Sequence, residues 1–201
     1  MPLLVMFLII LTSFNALAEK TLKIAVIDTG IQEAYLKSSH LCPTEHKDFT
    51  GSGLNDTHGH GTNIAGTIIE TAGSANYCLV IIKVWSTSSA NNIKNLINGL
   101  KYAMSINANI INYSGGGLYP SETEKKIVLE LLEKKVLLIV AAGNESYNLD
   151  NKCEFYPACY DNRIFVISNN KDYANKGKIV DSYQTDTTTG FGIEMKGTSQ
   201  S

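Results

Sequence analysis

Three short motifs place residues able to do nucleophilic chemistry along this chain: Asp28-Thr29-Gly30, His60-Gly61-Thr62 and Gly197-Thr198-Ser199. A serine hydroxyl is a weak nucleophile until a neighbouring imidazole takes its proton. A carboxylate must then hold that imidazole in one tautomer and stabilise its positive charge. Asp28, His60 and Ser199 are of the types that fill those roles. Each motif also has a plainer reading. An Asp after a strand often caps a helix, and Asp-Thr-Gly also suits aspartic chemistry, which needs two carboxylates sharing one proton. With a single copy, that reading requires a dimer. His58 and His60 beside Asp56 resemble a metal site, but His40 and His46 do not follow with ligand-like spacing. Asn112-Tyr113-Ser114-Gly115-Gly116-Gly117 resembles a phosphate loop, yet no Lys-Ser/Thr follows its glycines. Ala141-Ala142-Gly143-Asn144 ends an apolar run with an amide at its tip, which read alone is a turn.

The elements that must position these residues alternate in type. Residues 22–27, 79–84, 109–113, 136–141 and 164–168 are short runs rich in Ile and Val, the pattern of buried parallel strands. Between them, Ile93, Leu96, Ile97, Leu100, Ala103 and Met104 recur at helical spacing. A second helix begins at Ser121 and Glu124, which read as a capping box, and buries Ile127, Val128, Leu131 and Leu132. A helix of small residues starts at His60, where Gly61, Ala65 and Gly66 allow close packing. Residues 185–190 read as a short polar loop. Strand–helix alternation predicts an α/β fold, a doubly wound and mainly parallel sheet flanked by helices. Such folds bind ligands at the carboxyl ends of their strands. Asp28, Ser114 and Asn144 each follow directly on a predicted strand.

The 201 residues are enough for one domain with its own core. Seventeen basic against nineteen acidic residues leave a net charge of −2, which gives no basis for a nucleic-acid or anionic-membrane partner. Residues 3–11 are an unbroken apolar run, followed by Ala16-Leu17-Ala18. This reads as a secretory signal over 1–18, with the domain over 19–201 and a secreted or periplasmic destination. The run is short of the ~20 residues a membrane span needs, so no stable anchor is expected. Four cysteines suit an exported chain: Cys153 and Cys159 flank Tyr156-Pro157, and Cys42 and Cys78 remain. Four cysteines allow three connectivities, and the sequence does not choose among them.

Taken together, the motifs resemble those of the subtilisin-like serine proteases (subtilases), over nearly all of the mature chain. Asp28 within Ile-Ala-Val-Ile-Asp-Thr-Gly-Ile matches the family's triad carboxylate, His60 within His-Gly-Thr-Asn-Ile-Ala-Gly-Thr its general base, and Ser199 within Gly-Thr-Ser its nucleophile. The resemblance implies that Asn144 is the side-chain donor of an oxyanion hole, with the Ser199 N–H as second donor. It further implies that Ser114, Gly115 and Gly116 pair with substrate backbone and, with Ala141, Ala142 and Gly143, wall a specificity pocket. The implied activity is hydrolysis of peptide bonds in extended polypeptide substrates through an acyl-enzyme. The alternative is an inactive, secreted, subtilase-like protein that binds such peptides without cleaving them. No cofactor is expected. Calcium is common in the family, but no ligand set maps onto this chain.

Departures from the family pattern are also legible. No pro-segment separates residue 18 from the first strand, so folding is expected to be unaided or helped in trans by a pro-segment or chaperone. Residues 180–185 lack the Ala-Pro-Gly often found there. Phe155 falls where many relatives have a small residue at the pocket floor, which predicts a preference for small side chains. Only Gln200 and Ser201 follow Ser199, where the family has a long helix. The domain is therefore expected to lack its C-terminal elements and, as written, to be a poor enzyme.

Overall fold

A computed structural model describes residues 21–87 and 91–201. The signal sequence expected over 1–18 lies outside the described residues. Among the described residues, nine strands and three α-helices follow one another: β1 (Leu22–Asp28), β2 (Lys47–Asp48), α1 (His60–Ala72), β3 (Tyr77–Lys83), α2 (Asn92–Ser105), β4 (Ile110–Tyr113), α3 (Glu122–Glu133), β5 (Leu137–Ala141), β6 (Phe165–Asn169), β7 (Ser182–Gln184), β8 (Thr187–Thr188) and β9 (Met195–Lys196). Seven form one parallel sheet in the order β2-β3-β1-β4-β5-β6-β7, and β8 and β9 pair as a small antiparallel ribbon. This is the expected doubly wound architecture.

Strand β1 runs between β3 and β4, so both of its edges are bonded and both faces must be covered. Ala25 and Ile27 face a core shared with Leu96 and Leu100 of α2 and Ile127 and Leu131 of α3. Val26 faces the other way, against Ile64 and Ala65 of α1. Period-two alternation thus splits one apolar strand between two layers. Beyond α1, the same face over β4 to β6 opens into a groove of about 210 Å³ lined by Asn112, Ile139, Phe165 and Ile167, with Ile64 and Ile68 on one side and residues 198–201 on another.

Several expectations are corrected. The capping box forms only in half: Ser121 Oγ accepts from the Glu124 N–H at 3.3 Å, but the Glu124 carboxylate turns inward to take the Tyr160 hydroxyl at 2.9 Å. Ile93, the first of the apolar residues recurring at helical spacing, is half exposed. The polar loop over 185–190 contains β8, whose pairing with β9 its composition does not announce. The cysteine connectivity, which the sequence left open, is Cys42–Cys78 and Cys153–Cys159.

Candidate active site

Asp28 ends β1 and His60 opens α1. Asp28 Oδ1 lies 2.8 Å from His60 Nδ1. The carboxylate is almost fully buried and also accepts from the Thr29 N–H at 2.7 Å. The two elements approach closely because position 61 is glycine. A Cβ there would run into the Gly30 carbonyl oxygen and sit 3.1 Å from the Asp28 Cβ. Instead the Gly61 N–H donates to Thr29 Oγ1 at 2.8 Å, stitching the helix start to the strand end.

A second carboxylate fixes the head of α1. Asp56 is buried, and it accepts from the N–H groups of His58, Gly59 and Thr62 and from the Thr62 hydroxyl, at 2.7 to 3.0 Å. It satisfies donors that a helix start otherwise leaves open. Burial alone would raise its pKa, but the hydrogen bonds from Thr62 and Gly59 hold it below the ordinary carboxylate value. In the sequence alone, Asp56 stands out only as a companion of His58 in a metal site. The overlooked signal was an acidic residue just ahead of a helix start. His58 is an exposed loop residue, its ring edge-on to His60 at 6.2 Å between centroids. Among the described residues no group of three or more His, Cys, Asp or Glu is placed to hold a metal ion.

Burial disfavours a charged His60 ring. The Asp28 charge and hydrogen bond, with the more distant Asp56 charge, outweigh that penalty and hold the His60 pKa above its ordinary value.

The other predicted residues gather around one cavity of about 210 Å³ lined by Ser114, Gly115, Gly116, Ala141, Gly143, Asn144, Thr198 and Ser199, with Glu145 at its side and Phe155 packed in. Ala142 is not in this wall. It is fully buried in the core, and its carbonyl accepts from Asn175 Nδ2 at 2.8 Å. Thr198, singled out only as the middle of a motif, joins the two halves of the wall. Its N–H donates to Asn144 Oδ1 at 3.0 Å, and its hydroxyl accepts from the Gly143 N–H at 3.2 Å. With Oδ1 engaged, the amide nitrogen of Asn144 is the end left to donate.

Ser199 departs from the expected geometry. Its hydroxyl donates to the Ser114 carbonyl at 2.7 Å, and among the described residues it makes no hydrogen bond to His60. The carboxylate–imidazole pair is assembled; the serine shares the cavity of Asn144 and Ser114 but is turned to a different partner.

Comparison with known proteins follows the same lines. The family model described as "Subtilase family" matches residues 19–201. The chain is 30% identical over 181 residues to the major intracellular serine protease of Bacillus subtilis (strain 168), covering 81% of this chain and 57% of that protein. It is 31% identical over 156 residues to subtilisin amylosacchariticus of Bacillus subtilis subsp. amylosacchariticus, covering 72% and 40%. The crystal structure of the epidermin leader peptide processing serine protease of Staphylococcus aureus superposes with a TM-score of 0.72 at 18% identity, over 90% of this chain and 62% of that one, a likeness of fold. The chain thus spans about half the length of the curated relatives it matches.

Proposed function

Because this chain belongs to the subtilase family, we propose that it is a secreted serine endopeptidase acting on extended polypeptides, with Asp28, His60 and Ser199 as its triad. The observation that carries this reading is the buried Asp28–His60 hydrogen bond of 2.8 Å at the carboxyl end of β1. Asp28 holds the imidazole with its other nitrogen free to take a proton. Ser199, once its hydroxyl leaves the Ser114 carbonyl, attacks the substrate carbonyl as His60 accepts the proton. The Asn144 amide and the Ser199 N–H receive the developing oxyanion. His60 then returns the proton to the leaving amine, and water attacks the acyl-enzyme by the same route in reverse. The test is covalent labelling by a fluorophosphonate: labelling of the wild-type chain, lost in Ser199→Ala, supports the reading, and folded but unlabelled wild type contradicts it.

A second reading, a non-cleaving binder of extended peptides, is favoured by one contact: the Ser199 hydroxyl is bonded to Ser114 rather than to His60. It predicts peptide binding without labelling.

The pocket beside Ser199 favours a small side chain on the residue before the cleaved bond. The Phe155 ring packs against both walls: a Cβ at Gly116 would lie 2.5 Å from its Cε1, and one at Gly143 2.7 Å from its Cδ2. A peptide panel should therefore rank Ala above Phe at that position, with Phe155→Gly reversing the order; an unchanged order would remove Phe155 from the account. Export accords with the two disulfides and the apolar start of the chain. It predicts a mature N-terminus at Glu19 by N-terminal sequencing, and retention of residues 1–18 would contradict it.

A further inference from the structure

Asn63 is fully buried in the first turns of α1, three residues after His60 and so on the same side of the helix. A buried primary amide has two donors and two acceptor sites to satisfy. Here all four are used, and every partner comes from the last fourteen residues of the chain. Asn63 Nδ2 donates to the Ile193 carbonyl at 2.5 Å and the Thr188 carbonyl at 3.3 Å. Its Oδ1 accepts from the Thr188 hydroxyl at 3.2 Å and from Gln200 Nε2 at 3.3 Å. Gln200 is itself buried and adjoins Ser199. The backbone follows the same convergence, since a Cβ at Gly190 would run into the Asn63 carbonyl oxygen.

The remaining ties of the serine segment lead elsewhere. Thr198 bonds to Asn144 and Gly143 after β5, Ser199 to Ser114 after β4, and Ser201 to Asn169 at the end of β6. Among the described residues the Gln200–Asn63 bond is the hydrogen bond joining residues 197–201 to the helix that carries His60. Asp28 fixes the other end of that helix start. We propose that Asn63 is a positioning residue: it registers the Ser199 segment and the β8–β9 ribbon against α1, and so sets the reach between the proposed base and nucleophile. This inference rests on the peptidase reading. Without Asn63 the serine stays registered to the pocket wall but not to His60, so substrate binding survives while the chemical step slows.

The test uses the full chain with Asn63→Leu, which removes all four bonds at similar volume, and Gln200→Leu, which removes one and leaves the rest of the cluster satisfied. Hydrogen exchange by mass spectrometry is compared over 186–201 and over 22–28, together with the rate of fluorophosphonate labelling at Ser199. Exchange over 186–201 should quicken about tenfold in either variant, with 22–28 unchanged. Labelling should slow by ~10–100-fold at saturating reagent, with the half-saturating concentration unchanged, because a small misplacement of reacting groups is costly. Unaltered exchange in both variants overturns the proposal, as does labelling at the wild-type rate despite faster exchange. Should Asn63→Leu fail to fold, Gln200→Leu decides both readouts. If the wild type is not labelled, the peptidase reading fails on its own; exchange then still decides whether Asn63 anchors the segment, unchanged rates overturning it and a quickening confined to 186–201 supporting it.

Discussion

The Asp28–His60 pair and the Ser199 segment belong to one cleft but are held by different kinds of structure. Asp28 sits on a strand bonded along both edges and buried on both faces, and His60 on a 13-residue helix packed against that strand. Their distance is set by core packing and by a glycine that admits no side chain. Ser199 follows a two-residue strand in a segment tied by separate polar contacts to Ser114, Asn144, Asn169 and Asn63. Beside it the sheet face is an open apolar groove, with Phe165 39% exposed. Apolar packing fixes a position from many directions at once, whereas a set of single hydrogen bonds fixes it only as far as each bond holds. Asp28 and His60 are therefore preorganised by the fold, and Ser199 is placed by polar ties that can be removed one at a time.

That contrast can be broken from either side. Asp28→Asn strikes the packed half and should give the largest loss, on the order of 10⁴-fold in turnover, because the amide favours the wrong imidazole tautomer. It should also lower the pH midpoint of activity, since the Asp28 charge is what offsets burial of His60. A pH–rate profile that keeps its midpoint would sink the assignment of Asp28. Asn144→Ala strikes the polar half and should cost ~10²–10³-fold in turnover with little change in KM. A subtilisin, a relative, loses about that much when its oxyanion-hole asparagine is replaced. Unchanged turnover would remove Asn144 from the oxyanion site.

Smaller effects sharpen the comparison. Gly61→Ala forces a methyl group against the Gly30 carbonyl and should destabilise the fold by about 1–3 kcal/mol, as other overpacked sites do. An equilibrium denaturant curve with an unshifted midpoint would show that the helix start has room to move. The smallest effect lies away from the cleft. Burial raises the Glu124 pKa above its ordinary value of 4.5, more than the Tyr160 hydrogen bond lowers it. A carboxyl with a raised folded-state pKa contributes fully below its unfolded value, and stability falls as pH climbs from there through the folded value. Glu124→Gln should flatten that decline in melting temperature, and an unaltered slope would mean the carboxyl is not buried in solution.

What the sequence made legible tracks this division. The five central strands and the helices between them carry apolar residues at their own periods, and Asp28, Ser114 and Asn144 stand at strand ends because the fold class requires it. β2, β7, β8 and β9 are two or three residues long, too short to carry a period. Asn63 is silent in the sequence because its partners lie 125 to 137 residues away. Glu124 reads as a capping partner because local spacing cannot show that Tyr160, 36 residues on, competes for its carboxylate. The turn of the Ser199 hydroxyl toward Ser114 is likewise a matter of packing between distant segments.

The measurement that bears most directly on the central claim is the rate of fluorophosphonate labelling at Ser199 as a function of pH. An Asp28-supported His60 acting as base predicts labelling that rises with pH through a midpoint above 6.5, the ordinary histidine value, as the imidazole loses its proton. Folded protein that is unlabelled at every pH, or labelled with no such midpoint, would contradict it.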